Sequence, residues 1–484
     1  MYQTFYFYDL ETSGLNPRAD RIMQFAGQRT DLYLRPIGEP TNLLVELEED
    51  TLPSPSAIMV TGITPQMTRQ DGISEREFCR FLIDEVATPG TTIMGYNSVR
   101  FDDEFIRNTL WRNFYDAYEW QWKERRSRWD LLDVVRMTRA LRPEGIEWPV
   151  TEDGYATNRL ELITKLNNIS HENAHDALAD VVALIDVTKL IKQKQPQLFN
   201  YLFGMRMKRS VKKLINLKKP EPFVYSSGRY PSEFEKTTVA YPFAEAKNGN
   251  VLVFDLRYNL DEMLAAAENG TYDEKFGHGH HTERRKDSFR TGFFPIVKTL
   301  QYNRCPAVAP IGVLDKNDGW QRLGLTREQI EKNIEILRGH PDFPARMQAE
   351  EHSEFPPASD PESGLYSGFI PEDDLILCSA VRNNGAEDLR DFRPHFKDER
   401  LPDLLMHYKA KNFPNTLTEQ ETTDWEAYRR TRLEQQSKNF LKELEDIHTK
   451  LAKGETFNHR PASECEFFAE ELMLWYQSLQ GGDE

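Results

Sequence analysis

The stretch Thr4-Phe-Tyr-Phe-Tyr-Asp-Leu-Glu11 places the tightest limit on how this chain can fold. Its aromatic and apolar side chains predict a buried strand. Side chains alternate across a strand, so Asp9 and Glu11 project from the same face at its end. Asp-x-Glu alone carries little information, because 78 acidic residues produce a few such pairs by chance. Placement raises its value: two acids ending an apolar strand are held close together.

The residues that follow predict an α/β region. Arg21–Thr30, Asp31–Pro36 and Thr91–Asn97 read as further strands. Segments beginning at Phe101, Trp129 and Ala174 carry apolar residues at helical spacing. The first three strands are too close for helical crossovers, so the sheet is expected to be mixed. Gln195-Pro196 marks a boundary. Residues 198–220 hold seven basic side chains and no acidic one, inside a chain of net charge −17. This run predicts a basic helix, ended by Pro220 and Pro222. Val251–Leu256 and Gly292–Val297 suggest a small β domain, and Glu354–Pro361 has linker composition. The remainder is acidic and helical by pattern. The expected domains are therefore 1–197, 198–354 and 355–484.

Two further segments carry chemistry. In Gly95-Tyr-Asn-Ser-Val-Arg-Phe-Asp-Asp-Glu-Phe105 a strand turns into a helix whose first turn is acidic. In His171-Glu-Asn-Ala-His175-Asp-Ala-Leu-Ala-Asp180, His175 and Asp180 span the start of a helix. Each has an ordinary explanation alone, such as acids complementing a helix dipole. Together, four carboxylates and one histidine make up the parts of a two-metal phosphodiester hydrolase. Two Mg²⁺ ions roughly 4 Å apart need several oxygen ligands, and a nearby histidine can take a proton at neutral pH.

Asp9-x-Glu11-Thr12, Asn97-Ser-Val-Arg-Phe-Asp102 and His175-Asp-Ala-Leu-Ala-Asp180 resemble the DEDDh class of 3′→5′ exonucleases. Gly62-Ile-Thr-Pro65, Arg112–Asp116, Ser127–Asp133, Leu141–Gly145 and Lys409–Leu417 narrow the resemblance to the bacterial exonuclease I family, over nearly the whole chain. The resemblance implies an RNase H-like exonuclease domain with a mixed β-sheet, an SH3-like β domain and a C-terminal helical domain, arranged as a C-shaped monomer. It implies processive 3′→5′ release of nucleoside 5′-monophosphates from single-stranded DNA, in DNA repair and recombination. By the same resemblance Asp9, Glu11, Asp102 and Asp180 hold two Mg²⁺ ions, with Mn²⁺ able to substitute, and His175 is the general base. Asp102 is preferred to Asp103 because the family acid directly follows the Phe of Asn-x-x-x-Phe-Asp.

Arginines and aromatics interleave over residues 100–142, where arginines can pair with phosphates and rings can stack on bases. The family pattern favours Glu11, Arg107, Tyr118, Trp122, Arg136 and Arg159 as substrate contacts. It also implies docking of the acidic tail of single-stranded DNA-binding protein on Arg142, Tyr201 and Arg338. Glu221 and Pro310 are departures near that pocket.

Composition excludes several classes. Hydrophobic residues make up 39% of the chain, too many for a disordered one. No apolar run reaches the length of a membrane helix, and the first residues lack a secretory pattern, so a cytoplasmic location is expected. Cys79, Cys305, Cys378 and Cys465 match no zinc spacing and are expected as inert thiols. Two competitors remain. One is an RNA exonuclease, disfavoured by the length beyond the core. The other is a non-catalytic single-strand clamp, disfavoured by the presence of all five catalytic positions.

Overall fold

The computed structural model describes residues 3–171, 176–269, 296–351, 360–457 and 460–480. They form two compact units. The first comprises residues 3–127, 176–182, 360–457 and 460–480, and the second 128–171, 183–269 and 296–351.

The first unit is built on a mixed sheet. Its strands are β1 (Thr4–Thr12), β2 (Ile22–Thr30), β3 (Thr41–Leu44) and β4 (Thr91–Gly95), in the order β3-β2-β1-β4, and a short strand β5 (Ser127–Asp130) leads into the second unit. The central strand β1 runs antiparallel to β2 and parallel to β4. Phe5 to Tyr8 are buried on both faces, and Leu10 alone stays buried between Asp9 and Glu11. The register with β2 shifts between Glu11 and Thr12, so the sheet is irregular just after the two acids. Such bulges end pairing and re-aim side chains. Tyr6, Tyr8, Phe25, Phe78 and Phe105 belong to one core cluster, on the face of β1 opposite the two acids.

Helices α1 (Pro55–Thr61), α2 (Pro65–Asp71), α3 (Glu75–Phe81) and α4 (Asp102–Arg112) flank this sheet. The turn into α4 depends on two small devices. Gly95 ends β4 where a Cβ would meet the Ser98 Cβ at 2.5 Å. Asn97 takes a left-handed backbone, φ +65°, which asparagine tolerates. The C-terminal helices Glu419–Ala452 and Ala462–Gln480 close a second core, with Leu433, Phe440 and Trp475 packed against Met23, Ile58 and Met59.

In the second unit, β6 (Phe223–Ser226), β7 (Thr237–Ala246), β8 (Asn250–Asp255), β9 (Val297–Leu300) and β10 (Ala307–Pro310) form an antiparallel sheet ordered β10-β6-β7-β8-β9. Its core gathers Phe223, Tyr225, Val251, Val253 and Val308.

Three local expectations change. Asp31–Pro36 is no strand but a turn closed by Leu34 at φ +66°; the third strand starts at Thr41. Trp129 belongs to β5, and the helix begins at Leu131 because Asp130 caps it by accepting from the Leu132 amide. The basic run is two helices, Pro196–Met205 and Lys208–Leu214, rather than one. All four cysteines are buried thiols outside any disulfide. No helix among the described residues is long and apolar enough to cross a membrane.

Candidate active site

The end of β1 brings three of the four expected acids together. Carboxylate oxygens of Asp9, Glu11 and Asp180 lie within 4.8 Å of one another. Asp9 and Glu11 come from the alternating end of β1, and Asp180 from the first turn of the helix Ala177–Lys194. All three are half-buried. Asp102, buried at the start of α4, is close enough for its charge to act on Asp9. Asp103 has another job: it accepts a 2.6 Å hydrogen bond from the Tyr8 hydroxyl inside the core.

Electrostatics explain what this cluster lacks. Burial, then the charges of Asp102 and Asp180, hold Asp9 well above the usual carboxylate range. Burial, then Asp9, Asp180 and Asp176, push Glu11 up to about 9. Only Arg460 pulls Glu11 the other way among its leading influences. Crowded carboxylates that cannot all ionise favour either protons or a cation. Hard oxygen donors converging from two elements fit a divalent ion such as Mg²⁺ or Mn²⁺. His175 lies outside the described residues. His171 is described, and its Nδ1 lies 3.2 Å from the Thr164 hydroxyl.

The expected substrate contacts fall in both units. In the first, Arg107 is buried, donating to Glu104 at 2.7 Å and Gln121 at 3.1 Å, and its guanidinium lies 5.4 Å from the Tyr118 ring. The Tyr366 hydroxyl donates to the other Glu104 oxygen. Trp122 is 60% exposed, a large ring held in solvent. In the second unit, Arg136 pairs with Asp133 at 2.6 Å and packs on Gly228, where a Cβ would meet its Nη2 at 2.8 Å. Arg159 is exposed at the start of the helix Leu160–Leu166. Arg112, Arg126, Arg128 and Arg139, like Arg107, are buried and bonded to protein acceptors, so much of the arginine run staples the fold.

The expected partner residues all lie in the second unit. Arg142 donates to the Val313 carbonyl at 3.3 Å. Arg338 donates to the Tyr241 hydroxyl at 3.0 Å and lines a groove with Leu217, Pro220, Pro242 and Pro344. The half-buried Tyr201 hydroxyl has no hydrogen-bond partner among the described residues.

Sequence reasoning missed Arg460. It donates to the Val60 carbonyl at 3.1 Å, pairs with Glu464 and acts on Glu11. No local pattern signals it, because its role arises from a contact distant in sequence.

Comparison with known proteins agrees with this architecture. An exonuclease family model matches residues 6–188, the exonuclease I SH3-like domain 206–351, and the exonuclease I C-terminal domain 359–479. Exodeoxyribonuclease I of Haemophilus influenzae is 40% identical over 453 residues, covering 92% of this chain and 94% of that protein. A zinc-bound E. coli exonuclease I–single-stranded DNA complex superposes with TM-score 0.88 at 34% identity, covering 99% of this chain and 100% of the other. A structure of SSB/exonuclease I with an inhibitor gives TM-score 0.86 at 34% identity, with the same coverage. A mixed sheet with a carboxylate cluster at the end of its central strand, followed by an SH3-like and a helical C-terminal domain, makes this protein an exonuclease. The chain belongs to the exodeoxyribonuclease I family.

Proposed function

We propose that this protein is a processive 3′→5′ exonuclease that degrades single-stranded DNA to deoxynucleoside 5′-monophosphates, acting in DNA repair and recombination as a cytoplasmic monomer. The observation that carries the reading is the clustering of Asp9, Glu11 and Asp180 within 4.8 Å, in a chain similar over nearly its full length to exodeoxyribonucleases. Asp9, Glu11, Asp102 and Asp180 would hold two Mg²⁺ ions. When bound, these ions supply the Lewis acidity that activates water and stabilises the departing 3′-oxygen. His175 takes the proton of the attacking water at an imidazole nitrogen. Glu11 also contacts the substrate.

Trp122 and Tyr118 present rings to the bases, while Arg107, Arg136 and Arg159 pair with phosphates. Base stacking and phosphate pairing are sequence-tolerant, as a processive enzyme requires. Arg142, Tyr201 and Arg338 receive the acidic tail of single-stranded DNA-binding protein, in keeping with the SSB/exonuclease I structure of a relative. The exonuclease, SH3-like and helical domains divide at 1–197, 198–354 and 355–484.

The test is digestion of one 5′-labelled oligonucleotide, offered as single-stranded DNA, blunt duplex and RNA, with Mg²⁺ and with EDTA. Shortening of single-stranded DNA from its 3′ end, and only with metal, is the expected result. Equal shortening of RNA overturns the substrate assignment. Binding without shortening overturns the enzymatic one.

A further inference from the structure

The loop that follows the two acids of β1, residues 13–21, makes several polar contacts with the C-terminal region. Its two ends are closed on each other: the Ser13 amide donates to the Arg21 carbonyl at 2.9 Å, and the Arg21 amide to the Ser13 hydroxyl at 2.9 Å. Gly14 passes so near Asp20 that a Cβ would lie 2.6 Å from its Cγ. The long helix Glu419–Ala452 then holds this loop and its support. Arg432 Nη2 donates to the Ala19 carbonyl at 2.9 Å, and Nε to the Asp50 carbonyl at 3.0 Å. Gln436 accepts from the Leu52 amide at 2.8 Å and donates to the Asp50 carbonyl at 3.2 Å. Glu443 accepts from the Ser54 hydroxyl at 2.7 Å, while the Ser54 amide donates to the Ser13 carbonyl at 2.7 Å. At 3.6 residues per turn, positions 432, 436 and 443 fall within an arc of about 40° on one helix face.

We propose that this face is part of the catalytic apparatus, with Arg432, Gln436 and Glu443 acting as positioning residues for Asp9 and Glu11 through the 13–21 loop. Catalytic groups need geometry held to a fraction of an ångström, and a misplacement near 1 Å can cost about a hundredfold in rate. Here the sheet cannot do this alone, because its register already shifts between Glu11 and Thr12. The polar contacts from the helix hold the backbone where ladder pairing gives out. The C-terminal region therefore sets the geometry of the carboxylate site. The inference rests on the reading of Asp9 and Glu11 as metal ligands.

The test compares full-length Arg432→Met, Glu443→Ala and Glu443→Gln with wild type. Three quantities are measured: kcat and KM on single-stranded DNA, DNA affinity in EDTA, and Mn²⁺ affinity by electron paramagnetic resonance without DNA. The expected result is kcat lowered about tenfold in Arg432→Met and about threefold in Glu443→Ala, in line with a partial misplacement. Mn²⁺ affinity falls in both, while KM and DNA affinity in EDTA stay unchanged. Glu443→Gln, which keeps an acceptor for Ser54, stays near wild type. Unchanged kcat and Mn²⁺ affinity in a merely less stable protein overturn the inference. If Arg432→Met does not fold, the contrast between Glu443→Ala and Glu443→Gln decides. Wild-type protein that binds Mn²⁺ no better than Asp9→Asn would instead overturn the ligand assignment itself.

Discussion

The first unit contains two buried groups of carboxylates with opposite electrostatics. Asp9 and Glu11 at the end of β1 sit among other acids, and both are pushed above the usual carboxylate range. Asp50, Glu75 and Glu362 sit deeper, and all three are held below it. Burial alone would raise these too, but Lys411, Arg432, Arg21 and Arg112 outweigh it. Arg21 Nη2 lies 2.6 Å from Glu362, Lys411 Nζ 2.7 Å from Glu362, and Arg112 Nη2 2.7 Å from Glu75. One group carries its own cations; under the proposed function the other would leave that place to a metal. Burial by itself therefore does not separate a structural acid from a catalytic one. Between these two groups, the balance of neighbouring charge decides the direction.

The largest expected effect comes from removing a ligand of the cation-poor group. Asp180→Ala should lower kcat by at least about a thousandfold, on the order of 4 kcal/mol of barrier. Binding of single-stranded DNA in EDTA should persist, and turnover near wild type would remove Asp180 from the site. The corresponding change in the cation-rich group should act on folding instead. Arg21→Met leaves Glu362 and Asp50 short of a partner, and breaking a buried pair costs about 3–5 kcal/mol. Urea unfolding should register that loss.

pH sharpens the same contrast. A carboxyl whose folded pKa is raised adds stability that is present below its unfolded pKa and is lost as pH rises. In EDTA, the Glu11 contribution should therefore fade from about pH 4.5 up to about 9. Glu48, half-buried and pushed up to about 8, contributes with the same sign. The difference between wild type and Glu11→Gln in thermal unfolding isolates the Glu11 part, and a flat difference would contradict its shift. Asp50 and Glu362 work oppositely: their contribution is present at neutral pH and is lost as pH falls below the ordinary carboxylate range.

The smallest effects belong to the exposed residues proposed to meet the strand. Trp122→Ala should weaken single-strand binding by about 1–3 kcal/mol, the range for loss of one base-stacking ring. Arg159→Gln should reduce the salt dependence of binding by a slope of about 0.7, one phosphate on a single strand. Titrations in EDTA at several salt concentrations measure both.

The cation-poor site was legible in the sequence because its parts sit on short periodic elements. Two-residue alternation pairs Asp9 with Glu11, and helix starts deliver Asp102 and Asp180. The choice of Asp102 over Asp103 came from a family pattern; in the structure Asp103 accepts a hydrogen bond from Tyr8. The cation-rich group was illegible. Arg21, Asp50, Glu75, Arg112, Glu362, Lys411 and Arg432 meet only once the C-terminal helices have packed, and no local spacing announces that. Arg460 escaped for the same reason. The arginine run misled by composition, since exposed and internally bonded arginines look alike in a sequence. Asp31–Pro36 misled because one left-handed residue, Leu34, turned an extended pattern into a loop.

The central claim is that the acids at the end of β1 trade protons for a divalent cation. Calorimetric titration of Mg²⁺ into the metal-free protein at pH 7, in two buffers of different ionisation enthalpy, tests it most directly. Saturable binding with net proton release, abolished in an Asp9→Asn/Asp180→Asn variant, is the predicted result. Binding that survives both substitutions, or that releases no protons, would contradict the account.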